Sequence, residues 1–123
     1  MNNDKEKVVR VDSVVYCTLQ FEATHNWPEC PFDEVAYLRN EHRHLFHIKA
    51  FKRVYHDDRD TEFIMLKHTI EKYLNETYAE HKFGRKSCEM LARELAEKFD
   101  LCQIDVSEDN ENGAILTFEE IDI

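Results

Sequence analysis

The sequence predicts an α+β domain: a four-stranded antiparallel sheet carrying two helices on one face, in the order β-β-α-α-β-β. Three observations lead there. Residues 11–25 and 42–56 alternate with period two, residues 61–77 and 86–99 repeat their apolar positions at spacings of three and four, and two short strand-like runs close the chain. A chain of 123 residues holds one domain with one core, expected at 11–123 behind a polar, flexible segment at 1–10.

In the first strand Val15, Cys17, Leu19, Phe21, Ala23 and His25 share one face, and Tyr16, Thr18, Gln20, Glu22 and Thr24 share the other. The apolar face runs straight into His25, which puts that histidine at the rim of the core. Residues 26–41 contain Pro28 and Pro31 and read as an irregular loop, with at most a turn of helix around 33–38. So long a connection between strands is commonly functional, and Trp27, Phe32 and Tyr37 suit one that packs down. In the second strand His42, His44, Phe46, Ile48 and Ala50 face one way, while Arg43, Leu45, His47, Lys49, Phe51 and Arg53 face the other. Thr61 is the expected N-cap of the first helix, whose stripe is Phe63, Leu66, Ile70, Tyr73 and Leu74. Residues 78–85 read as a connection ending in Gly84, and Cys88, Leu91, Ala92, Leu95 and Phe99 form the stripe of the second helix. The short strands fall at 101–106 and 114–118, with a tight turn expected at Asn112-Gly113. Such a sheet leaves two edges and a partly bare face, which points to a homo-oligomer formed by edge pairing.

The net charge of -10, from 26 acidic and 16 basic residues, argues against nonspecific binding to nucleic acid or to an anionic membrane. No apolar run is long enough to span a bilayer, and the polar start MNNDKEKVVR does not resemble a signal peptide. The four cysteines, at 17, 30, 88 and 102, lack the close spacing of a cysteine metal site. Together these features predict a cytoplasmic protein with reduced thiols.

The chemistry lies with the histidines. His42 and His44 are two apart on a strand, so they point to one side with Cα atoms roughly 6–7 Å apart, within reach of one ion. If the two long strands form an antiparallel pair, His25 at the end of the first lies beside them. Three imidazoles then converge on a Zn2+ site with an open position, which would polarise an oxygen of a small substrate. The alternative is that they are ordinary polar residues at a sheet edge. His81, between the helices, is a candidate proton carrier. Glu108, at a strand end, is either an acceptor for the N–H groups of a heterocycle or a solvated turn acid beside Asp105, Asp109 and Glu111.

The same residues carry a resemblance to the family of 6-pyruvoyl tetrahydropterin and 6-carboxytetrahydropterin synthases. Phe21-Glu22-Ala23-Thr24-His25 resembles the F-x-A-x-H of its first strand, and His42-Arg43-His44-Leu45-Phe46 its H-G-H-x-Y. Glu62-Phe63-Ile64-Met65-Leu66-Lys67 and Lys86-Ser87-Cys88-Glu89-Met90-Leu91-Ala92 resemble its two helix starts, and Glu108 stands at its strand-end glutamate. The resemblance spans 11–118 in order. It implies the tunnelling fold, with trimers or pairs of stacked trimers around a barrel and active sites between subunits. It further implies zinc on His25, His42 and His44, the ring of a pterin held by Glu108, and lyase chemistry on 7,8-dihydroneopterin triphosphate serving queuosine or tetrahydrobiopterin synthesis. There are departures. The family's catalytic cysteine place is Leu38, its glycine between the paired histidines is Arg43, and its Asp-His pair has no match, which leaves His81 for the proton relay. Cys30, Glu34 or Glu41 would have to serve as the base. The readings are therefore a zinc-dependent pterin-type enzyme, a protein of the same fold that binds a pterin, purine or similar heterocycle without turnover, and a structural or interaction domain without metal.

Overall fold

In the computed structural model, which describes residues 6–121, two α-helices and a short 3-10 segment pack with one five-stranded mixed sheet. The strands are β1 (Ser13–His25), β2 (His42–Val54), β3 (Lys82–Gly84), β4 (Gln103–Glu108) and β5 (Asn112–Thr117), in the spatial order β3-β1-β2-β4-β5. The helices are α1 (Phe63–Thr77) and α2 (Cys88–Phe99), and the 3-10 segment is Asp33–Arg39. The class is α+β, as expected, and the sheet is open. Residues 1–5 of the segment expected to be flexible, and 122–123 at the other end, lie outside the described residues; 6–12 form no helix or strand.

The expected four-stranded, wholly antiparallel sheet is corrected by β3. It pairs in parallel with β1 through Thr24↔Lys82 and His25↔Gly84, within the stretch that the sequence reads as a bare connection. Three residues carry no period, so only the docking against β1 makes them a strand. A second correction concerns the last hairpin. Asn112 and Gly113 lie inside β5, and the turn falls at Asp109 and Asn110, both with positive φ (55° and 58°), a conformation Asp and Asn tolerate. Gly113 is needed for another reason: a Cβ there would meet the carbonyl oxygen of Val106 at 2.4 Å. Gly84, at φ +66°, ends β3 in the left-handed region that favours glycine.

β1 and β2 pair from Ser13↔Val54 to His25↔His42, so the period-two patterns of both strands are in phase and their apolar sides coincide. α1 lies against β1, and α2 against β4 and β5. The core is built from Leu19, Phe21, Phe46, Ile48, Ile104 and Val106 of the sheet, with Ile70 and Leu74 from α1 and Leu91 and Leu95 from α2. α1 starts one residue later than expected, because the Glu62 carboxylate, not Thr61, accepts from the N–H groups of Ile64 and Met65 at 2.9 and 3.2 Å. Ser87 caps α2 by accepting from Met90 N–H. No helix among the described residues is long and apolar enough to cross a membrane. All four cysteines are free.

Candidate metal centre

The end of β1 and the start of β2 meet with His25 directly opposite His42, and His44 follows on the same side. One ring nitrogen from each lies within 4.8 Å of the other two. Which nitrogen it is follows from what the rings hold on their far sides. His25 Nδ1 donates to the Lys86 carbonyl at 2.9 Å, and His42 Nδ1 to the Asn40 carbonyl at 2.8 Å. His44 Nδ1 donates to Asp109 Oδ2 at 2.7 Å. A carbonyl or an ionised carboxylate can only accept, so each Nδ1 carries the proton and each Nε2 presents a lone pair inward. Outer partners of this kind fix ring orientation and tautomer in histidine metal sites.

Three of those outer contacts come from distinct features of the chain. β3, docked on β1, carries the chain to Lys86 beside His25. The extended backbone at Asn40, where the 3-10 segment ends, supplies the carbonyl for His42. Asp109 sits in the β4–β5 turn, where its Oδ1 also accepts from Leu45 N–H at 2.9 Å and its own N–H donates to the Leu45 carbonyl at 2.8 Å. That clasp holds the turn on the first residues of β2. The Leu45 N–H bond, together with the bond from His44, keeps the Asp109 carboxyl below its ordinary range.

Beneath the rings lies Phe46, 1% exposed, with His25 and His44 edge-on at 5.2 and 5.8 Å between centroids. His25 is itself buried. Glu108 closes the other side: Oε2 lies 2.9 Å from His25 Nε2, and Oε1 lies 3.5 Å from His44 Nε2. In the neutral tautomer neither Nε2 has a hydrogen-bond partner. With Nδ1 protonated, lone pairs face a carboxylate, and two acceptors do not bond. Such a set is stable only with positive charge among it, either a proton or a metal ion. Both sides of the balance are visible. The His25 imidazole beside Glu108 holds that carboxyl below the ordinary carboxylate range despite burial, with His44 and His42 adding to the effect. Burial works against a charged His25, but Glu108 and the Lys86 carbonyl outweigh it and raise its pKa.

The residues therefore fit a metal ion on an observation of their own: convergent, unpartnered Nε2 atoms with protonated, anchored Nδ1 atoms behind them. His25, His42 and His44 form a group able to hold such an ion. A cleft of about 500 Å³ opens beside it, lined by His25, His42 and Glu108 together with Trp27, Leu38 and Met90, among others. A mostly apolar cleft next to convergent polar groups is the usual form of a small-molecule site.

The other candidates lie elsewhere, and none of them lines the cleft. Cys30 is buried with its thiol directed at the carbonyls of Phe32 and Val35, 3.7 and 3.8 Å away, so it closes the loop. Glu34 is exposed on the 3-10 segment. Glu41 accepts from Thr24 Oγ1 at 2.7 Å on the solvent side of the strand pair. His81 stacks flat on Phe21, 4.5 Å between centroids, and holds the Glu22 carbonyl through Nδ1. What sequence reasoning missed is Asp109, read as a solvated turn acid, and the carbonyls of Asn40 and Lys86. The acid was visible in the sequence, but its partner lies 65 positions away; the carbonyls leave no trace in side-chain identity.

Fold and site thus define an α+β protein with a three-histidine centre beside a cleft. Comparison with family models found no match, and comparison with curated proteins found none either.

Proposed function

We propose that the chain is a zinc-dependent, pterin-type protein of the tunnelling fold, acting on 7,8-dihydroneopterin triphosphate or a similar small heterocycle. The observation that carries the reading is the trio of inward-facing Nε2 lone pairs at the side of a small-molecule cleft. His25, His42 and His44 would hold the metal. Bound there, zinc supplies a Lewis acid that polarises a substrate oxygen and eases loss of a proton from the adjacent carbon. Asp109 and the carbonyls of Asn40 and Lys86 keep the three rings in the tautomer that can ligate. The apolar walls at Trp27, Leu38 and Met90 would give a flat ring a surface to lie on. Assembly into trimers or stacked trimers would bring an exposed group such as Glu34 or His81 of one subunit toward a neighbour's cleft as the base.

A second reading has its own support. Leu38, at the place of the family's catalytic cysteine, lines the cleft with an apolar side chain, and the four candidate catalytic residues, Cys30, Glu34, Glu41 and His81, do not line it. That favours a protein that binds the heterocycle on its metal without turning it over. Zinc content of purified protein and of His42→Ala, with a product assay on 7,8-dihydroneopterin triphosphate, tests both. Near-stoichiometric zinc that is lost in the variant is the expected result. Product formation selects the enzyme, and ligand binding without product selects the binder. A well-folded wild-type protein that takes up no zinc overturns the proposal.

A further inference from the structure

We propose that Glu108 is itself a ligand of the metal held by His25, His42 and His44, closing the fourth position when no substrate is bound. This rests on the metal reading above and deepens it. The role expected for Glu108, gripping the N–H edge of a heterocycle, needs its carboxylate turned into the cleft. In the structure it is turned onto the imidazoles, 2.9 Å from His25 Nε2 and 3.5 Å from His44 Nε2.

Ligand atoms on one tetrahedral zinc ion, each about 2.0–2.1 Å from the metal, stand about 3.3 Å from one another. Glu108 approaches with different oxygens, Oε2 at 2.9 Å and Oε1 at 3.5 Å, on either side of that value; the mutually close ligand atoms are those of the three histidines, so coordination requires a rotation of the Glu108 side chain. The two Nε2 atoms it approaches are the buried polar atoms without a hydrogen-bond partner among the described residues. A proton on His25 Nε2 would account for the 2.9 Å contact alone, as a direct bond; a cation shared among the groups accounts for both contacts at once.

The backbone supports the placement. Glu108 pairs across the strands with Phe46, so its side chain emerges on the face that carries His44 and His42. The clasp of Asp109 on Leu45 fixes the next residue, leaving Glu108 only its own side-chain rotations. A carboxylate so held completes a three-nitrogen, one-oxygen set and lowers the charge of the centre by one. An incoming substrate oxygen would have to displace it, and the freed carboxylate would then stand at the wall of the cleft that it already lines.

The test uses purified full-length protein stripped of metal and titrated with Zn2+ against a chromogenic chelator, or loaded with Co2+ for absorption spectroscopy. Glu108→Gln keeps the shape but removes the charged ligand, and Glu111→Gln, in the exposed turn, is the control. Loss of a direct ligand predicts weaker Zn2+ binding by more than about 100-fold, beyond the range for loss of an outer partner. It also predicts a changed Co2+ spectrum in Glu108→Gln, with the control unchanged. Wild-type Co2+ protein needs no variant to fold: with no water on the metal its spectrum should stay constant from neutral to alkaline pH, whereas an open position would hold a water whose ionisation shifts it. Equal Zn2+ affinity and identical spectra in wild type and Glu108→Gln, or a wild-type spectrum that shifts at alkaline pH, overturn the inference while leaving the three-histidine centre standing. A wild type that binds neither ion overturns both.

Discussion

Replacing Asp109 by Asn tests the logic of the site most sharply. Of the three outer partners, two are backbone carbonyls that no substitution removes; Asp109 is the one reached through a side chain. Its carboxylate serves two donors, His44 Nδ1–H at 2.7 Å and Leu45 N–H at 2.9 Å. An amide has a single acceptor oxygen. If the oxygen stays on Leu45, the amide NH2 faces the Nδ1 proton of His44, and the ring can relieve the clash by moving its proton to Nε2. That tautomer turns its lone pair toward residue 109 and none toward the metal. If the amide flips, Leu45 N–H loses its partner and the start of β2 loosens. Either way His44 is impaired while His25 and His42 keep their anchors. Loss of one outer partner costs about 10–100-fold in metal affinity. The assay is competition for Zn2+ against a chelator at neutral pH, with circular dichroism to show that the fold persists. Unchanged affinity in folded Asp109→Asn would refute the argument that the Nδ1 bonds set the tautomers.

Phe46→Ala removes the floor beneath His25 and His44; at 1% exposure the loss should lower stability by about 3–5 kcal/mol, read by urea denaturation, and weaken metal binding with it. Protons and metal compete for the same Nε2 atoms, so metal affinity should fall as pH drops through the imidazole range, and potentiometry should show proton release on binding at mildly acidic pH. In the metal-free protein the sign for His25 is opposite to metal binding. Its raised pKa contributes stability below the ordinary value of 6.5, and that contribution is lost as pH rises through the folded value. Glu94 accepts from the hydroxyls of Tyr73, at 2.9 Å, and Tyr78, at 2.7 Å, and pairs with Lys86, whose carbonyl anchors His25. Burial opposes its charge but Lys86 and the two tyrosines outweigh it, so its pKa is lowered, and stability present above 4.5 should fade as pH drops through the folded value. Glu94→Gln should cost about 2 kcal/mol at neutral pH and flatten that acid limb in denaturation titrations. An unaltered limb would show that Glu94 does not carry it.

The elements that the sequence displays best are those with long periods. Residues 13–25 and 42–54 alternate over enough positions that one face, and hence the side bearing His25, His42 and His44, can be read directly. The stripes of α1 and α2 are equally legible, because Leu66, Ile70 and Leu74, and Leu91 and Leu95, recur at helical spacing. β3 was not, since Lys82-Phe83-Gly84 is too short for a pattern and gains its hydrogen bonds from β1 alone. The last turn is hidden by Asn112-Gly113, a sequence that suits a turn but here lies where the β4 backbone comes too close for any Cβ.

The sequence by itself determined the class of the fold, the two faces of the long strands and the identity of three inward-facing histidines, because each depends on spacing along a single stretch of chain. Tertiary structure decided the rest of the site. Which ring nitrogen faces inward depends on Asn40, Lys86 and Asp109, and the position of Glu108 depends on a register between β2 and β4. These are contacts between residues as far as 65 positions apart, made by directional hydrogen bonds. No local periodicity encodes where a bond of that kind will find its partner.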